Sequence, residues 1–133
     1  MSDVRIVVDT GVVVSAQSIS RQAFDVASNR GRLLVSQATV VELAEVLRRP
    51  RLNKYLSEEK RLEFLAALIR EAELVDISET ITACRDAEDD KFLELAVSGK
   101  AMYLVSGDQD LLALDPFRGV AIVTPRTFLT RLI

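Results

Sequence analysis

A chain of 133 residues, 49% hydrophobic and 28% charged, can bury a real core and suits one compact domain spanning residues 1–133. With 20 acidic against 17 basic residues its net charge is −3, so a surface for a polyanion would have to be local. The absence of histidine excludes Ser-His-Asp and Cys-His catalysis, and a single cysteine, Cys84, excludes an internal disulfide and a zinc site built from His and Cys.

No apolar run approaches the ~20 residues of a membrane span, and Met1-Ser2-Asp3-Val4-Arg5 does not open like a signal peptide. No membrane association and a cytoplasmic location are therefore expected. No Gly-x-Gly-x-x-Gly run or Walker-type Gly-Lys-Ser/Thr loop is present. Any chemistry must come from carboxylates, hydroxyls, lysines or a hard metal ion.

In chain order, residues 4–8 form an apolar run that ends at Asp9, the pattern of a buried strand. Residues 20–30 are helical, with Ala23, Phe24 and Ala27 on one face and Gly31 after the end. A second strand covers 33–35. A helix over 39–49 presents Val40, Leu43, Ala44 and Leu47, and Pro50 stops it. Ser57 caps a longer helix reaching about Glu73, with Leu62, Leu65, Leu68, Ile69 and Ala72 as its apolar face. A third strand follows over 74–77. The next helix starts at Asp89 or a neighbour and closes at Gly99. Strands at 102–105 and 121–123 flank a turn or short helix over 108–114, and Thr124-Pro125 opens a last helix. Short apolar strands alternating with helices predict an α/β fold, with a mainly parallel sheet of about five strands flanked by helices.

Ligands of open parallel sheets bind beyond the carboxyl ends of the strands. Asp9 follows the first strand, and Ser106, Asp108 and Asp110 follow the fourth. Asp86, Glu88, Asp89 and Asp90 precede the fourth, and Glu42 lies in the first turn of the helix after the second. Singly, each has a plain structural role open to it: helix-dipole partner for Glu42, Asp89 and Asp90, turn residue for Asp108. Asp9 fits such a role least, because it interrupts an apolar stretch. Converging carboxylates repel unless a cation lies between them, and oxygen donors without His or Cys select Mg²⁺ or Mn²⁺.

Val7-Val8-Asp9-Thr10-Gly11-Val12-Val13-Val14-Ser15-Ala16 resembles the opening of PIN domains. Ser36-Gln37-Ala38-Thr39-Val40-Val41-Glu42-Leu43 is similar to their second segment. The run from Cys84 to Ala96 is similar to the third, and Tyr103 to Leu112 to the fourth. The four occur in family order across residues 4–130, and the nearest branch is the toxin component of toxin–antitoxin systems, related to VapC-like ribonucleases.

The resemblance implies a three-layer PIN-like fold and a divalent-metal endoribonuclease that uses Mg²⁺ or Mn²⁺. It implies an RNA substrate, a cognate antitoxin and a homodimer whose cleft is covered by the antitoxin's C-terminal segment. Carried over, Asp9, Glu42, Asp89 and Asp108 are the catalytic carboxylates and metal ligands. Asp90 competes with Asp89, Asp110 is a further metal candidate, and Ser106 and Thr10 are supporting hydroxyls. Gly11 stands where the family usually has Asn. An alternative is therefore a catalytically weak or inactive PIN-like module that binds RNA or protein.

Asp9-Thr10-Gly11 also spells an aspartic-protease signature, but the helical segments oppose that all-β fold. A phosphoaspartyl enzyme would want Asp where Gly11 stands. The cations Arg48, Arg49, Arg51, Lys54, Lys60 and Arg61 form a run whose ordinary role is a solvated helix end. Arg48, Arg49, Arg51 and Lys54 are also the local candidates for holding RNA phosphates.

Overall fold

The computed structural model describes residues 4–132. The chain runs through β1 (Arg5–Val8), α1 (Thr10–Val13), α2 (Ser18–Arg30), β2 (Arg32–Val35), α3 (Gln37–Leu47), α4 (Glu58–Glu71) and β3 (Glu73–Leu74). It continues through α5 (Asp90–Ser98), β4 (Tyr103–Val105), α6 (Gln109–Leu112), β5 (Ala121–Val123) and α7 (Pro125–Leu132). Short 3-10 turns occupy Pro50–Lys54 and Ala87–Asp89.

All five strands pair in parallel in the order β3-β2-β1-β4-β5. Strand alternation divides the core into layers. In β1, Ile6 packs among Ala23, Ala27 and Phe128, whereas Val7 packs on the other face with Phe92, Leu95 and Leu104. β4 and β5 repeat the split, with Leu104 and Ile122 on one face and Val105 and Val123 on the other. The predicted three-layer α/β architecture is thus present. No described helix is long and apolar enough to cross a membrane.

The predicted caps hold. The Ser57 side chain accepts from Lys60 N at 3.2 Å, and Gly99 ends α5. Three local readings need correction. The strand expected over 74–77 pairs only at Glu73–Leu74. It lies at the sheet edge, where Leu74 is exposed and a ladder partner exists on one side only. Ile69 points outward from α4, and Phe64 turns inward to meet Phe24 at a centroid distance of 5.6 Å. Arg61 is no surface cation: it is 4% exposed. Its Nε donates to Leu47 O at 2.6 Å, and its other nitrogens donate to Leu56 O and Asn53 Oδ1, which ties the chain between α3 and α4 into a knot.

Candidate active site

The sheet changes direction between β1 and β4. From β1 the chain builds outward through β2 and β3, then crosses back to lay β4 and β5 on the other side. At such a switch point the two connections leave in opposite directions and open a crevice at the carboxyl edge. Asp9 and Ser106 lie there. Asp9 N donates to Val105 O at 3.0 Å and Ser106 N to Val123 O at 2.9 Å, so both extend their ladders by one bond.

Asp9 then leaves the strand as the N-cap of α1, its Oδ1 accepting from Val12 N at 2.9 Å. Ser106, fully buried, donates its hydroxyl to Asp9 Oδ2. The same hydroxyl oxygen accepts from Asp108 N at 2.9 Å. Ser106 thereby sets the spacing between the Asp9 and Asp108 segments. Asp108 caps α6, with Oδ1 accepting from Asp110 N at 2.7 Å.

Glu42 comes in from α3, which Ser36 and Thr39 start with a reciprocal capping arrangement. Thr10 Oγ1 donates to Glu42 Oε2 at 2.5 Å, and Lys91 Nζ donates to Glu42 Oε1 at 2.7 Å. Asp89 ends the 3-10 turn before α5, and its Oδ2 is buried without a hydrogen-bond partner.

Asp9, Glu42, Asp89 and Asp108 all line one cavity of about 760 Å³, together with Thr10, Gly11 and Arg126 among others. Burial pushes the Asp9 carboxyl above its ordinary range, against the Ser106 and Val12 hydrogen bonds, and Asp108 and Glu42 push it further up. Asp89 is pushed up to about 7, by burial first and then by the charge of Asp108, whose carboxyl it meets within hydrogen-bonding range. The repulsion expected of converging carboxylates is therefore present. Among the described residues no three such side chains yet close round a common point as a ready-made ligand cluster. The donor set still fits a hard cation: it is all oxygen, it repels itself, and Asp89 holds one buried oxygen with no proton donor.

The remaining candidates separate. Asp90, one residue beyond Asp89, faces away from the cavity: its Oδ1 accepts from Ala83 N at 3.1 Å and Cys84 N at 2.7 Å, anchoring the preceding loop. Asp110 is half-buried next to the site but does not line the cavity. Arg48, Arg49, Arg51 and Lys54 are exposed at the far end of α3 and the turn after it. Arg48 lies about 9 Å along the helix axis beyond Glu42, at 1.5 Å per residue. These four do not line the cavity either. Nearer cations, Lys91 and Arg126, were not legible as site residues. Lys91 sits one position past Asp89–Asp90 in a helix pattern that its neighbours explain, and Arg126 follows a strand with no acidic motif.

At position 11, a Cβ would lie 3.6 Å from Asp9 Oδ1, an ordinary contact. A side chain there would border the carboxylate without strain, so glycine leaves Asp9 more open to the cavity.

Comparison with known proteins bears on the fold and the family. An uncharacterized protein of Methanocaldococcus jannaschii is 28% identical over 117 residues, covering 84% of this chain and 75% of that protein. Among solved structures, PAE2754 from Pyrobaculum aerophilum superposes with a TM-score of 0.65 at 18% identity, covering 97% of this chain and 95% of that one. VapBC2 from Rickettsia felis, solved bound to a DNA fragment from its promoter, gives 0.59 at 12% identity, with 90% and 98% covered. The PIN domain of T. brucei RRP44 gives 0.51 at 14% identity, with 98% and 81% covered. At these identities the superpositions speak for the fold. The family model described as the PIN domain matches residues 5–110, a stretch that takes in Asp9, Glu42, Asp89 and Asp108, and the chain belongs to the PIN domain family.

Proposed function

We propose that the protein is a divalent-metal-dependent endoribonuclease. One observation carries the reading: four carboxylates from four separate segments line one cavity at the switch point of the sheet. Asp9, Asp89 and Asp108, with Glu42 beside them, would hold Mg²⁺ or Mn²⁺. Such an ion, when bound, lowers the pKa of water and offsets charge developing on a phosphate.

The chain's own residues supply the rest. Ser106 orients Asp9 and the Asp108 backbone together. Thr10 and Lys91 fix both oxygens of Glu42. Glycine at position 11 leaves all four carboxylates in place and puts no side chain against Asp9 Oδ1, which a Cβ there would approach to 3.6 Å. Purified protein should cut single-stranded RNA with Mn²⁺ and stop in EDTA. Binding of RNA with no cleavage at any Mn²⁺ concentration would favour a non-cutting module instead.

The finer reading is the toxin of a toxin–antitoxin pair, working as a homodimer in the cytoplasm with an antitoxin as protein partner. Its support is the four-segment resemblance and the likeness in fold to the VapBC2 structure. Light scattering should give twice the 14.7 kDa chain mass. A strict monomer at micromolar concentration would argue against the dimer.

A further inference from the structure

A cavity walled by four carboxylates repels the polyanion it is proposed to cut, so something other than the ion must hold the substrate strand. Among the described residues lining the cavity, Arg126 is the one cation. It is exposed, and its guanidinium has no carboxylate partner among the described residues. Of the other cations near the site, Lys91 is paired to Glu42 and Glu88, the run at 48–54 lies at the far end of α3, and Arg21 and Arg85 do not line the cavity.

The position of Arg126 is set by the sheet. Val123 of β5 is in register with Val105 of β4, and Val105 with Val8 of β1. Thr124 is therefore level with Ser106 and Asp9 at the carboxyl edge. At about 4.8 Å per strand, the start of α7 lies two strand spacings, about 10 Å, to the side of Asp9. Thr124 Oγ1 accepts from Thr127 N at 3.1 Å, which caps α7 and holds its first turn, with Arg126 in it, against the cavity. The positive end of the helix reinforces the side chain's charge.

We propose that Arg126 is the phosphate-binding residue of a substrate subsite: it holds a phosphate of the RNA strand next to the one cleaved at the carboxylates, and so sets how the strand crosses the cavity. The guanidinium is suited to this because it presents parallel N–H donors that match a phosphate's oxygens. The inference rests on the nuclease reading for its substrate, but its test reads binding without cleavage.

The experiment measures binding of a labelled single-stranded RNA oligonucleotide across a salt series, in the Asp9→Asn background so that the strand stays intact. Arg126→Ala should weaken binding about tenfold. It should also make the dependence of log K on log salt shallower by about 0.7, the loss of one phosphate contact. Arg126→Lys should keep the salt slope and recover part of the affinity. Arg131→Ala removes the same charge from the last turn of α7 and should change neither. In the cutting enzyme, Arg126→Ala should raise KM and leave kcat close to wild type. Equal effects of Arg126→Ala and Arg131→Ala would overturn the subsite in favour of general surface charge, and so would an unchanged slope in Arg126→Ala. An Arg126-dependent slope in a protein that never cuts RNA would keep the subsite and sink the nuclease reading instead.

Discussion

Asp9→Asn should lower RNA cleavage by at least ~100-fold while leaving the fold intact. The substitution removes a charge and little else. The asparagine oxygen can still accept from Val12 N, which keeps the cap of α1. Its amide can donate to the Ser106 oxygen, which already accepts from Asp108 N and has capacity for a second donor. What is lost is a buried negative charge whose protonated form the fold already favours through burial and the nearby Asp108 and Glu42. Metal-free Asp9→Asn should therefore melt no lower than wild type. Added Mn²⁺ should separate the two: at a hundredfold excess over Kd, a bound ion stabilises wild type by about 2.7 kcal/mol, and the variant should gain clearly less. Thermal melts with and without Mn²⁺, run beside the cleavage assay, check this. If Asp9→Asn unfolds, or cuts RNA at the wild-type rate, Asp9 is a structural cap and the nuclease site is wrongly placed.

The adjacent pair Asp89 and Asp90 should respond in opposite ways. Asp90→Ala removes the acceptor of two backbone amides, one of them buried, and should cost about 2–4 kcal/mol of stability. Asp89→Asn should cost little, because Asp89 is unfavourable where it sits. Its folded pKa of about 7 lies above the ordinary carboxylate value of 3.8, so the fold prefers the protonated form. That preference is fully present below about pH 4 and is lost as pH rises through 7. Metal-free wild type should thus melt lower at pH 8 than at pH 4.5. Asp89→Asn should flatten most of that slope, leaving the part due to Asp9, whose shift has the same sign. The same variant should bind Mn²⁺ more weakly. Melting curves at the two pH values, with calorimetric Mn²⁺ titrations, separate the two roles. Metal binding lost in a folded Asp90→Ala, with Asp89→Asn unaffected, would reverse them.

The division between these neighbours marks where local sequence stops being informative. Successive residues of a helix differ by about 100° in direction, so a one-residue choice at the start of α5 sends a carboxylate into the cavity or into the loop behind it. Composition and motif could not make that choice. It was made by the loop at Ala83 and Cys84, whose amides needed an acceptor. Much else was local and legible. The apolar run before Asp9, the Ser57 cap, the Pro125 start of α7 and the alternation of strands with helices all follow from backbone preferences and side-chain period. These were enough for a parallel α/β fold and for placing Asp9, Glu42 and Asp108 beyond strand ends or in the helix that follows. The tertiary structure decided what depends on strand order. β4 lies beside β1, which joins Ser106 to Asp9 across 97 residues, and β5 lies beside β4, which brings Arg126 to the cavity. The packing of α5 against α3 pairs Lys91 with Glu42. Side-chain period records which face of an element is apolar. It carries no record of which element comes to lie against that face, and the cations of this site are placed by that adjacency alone.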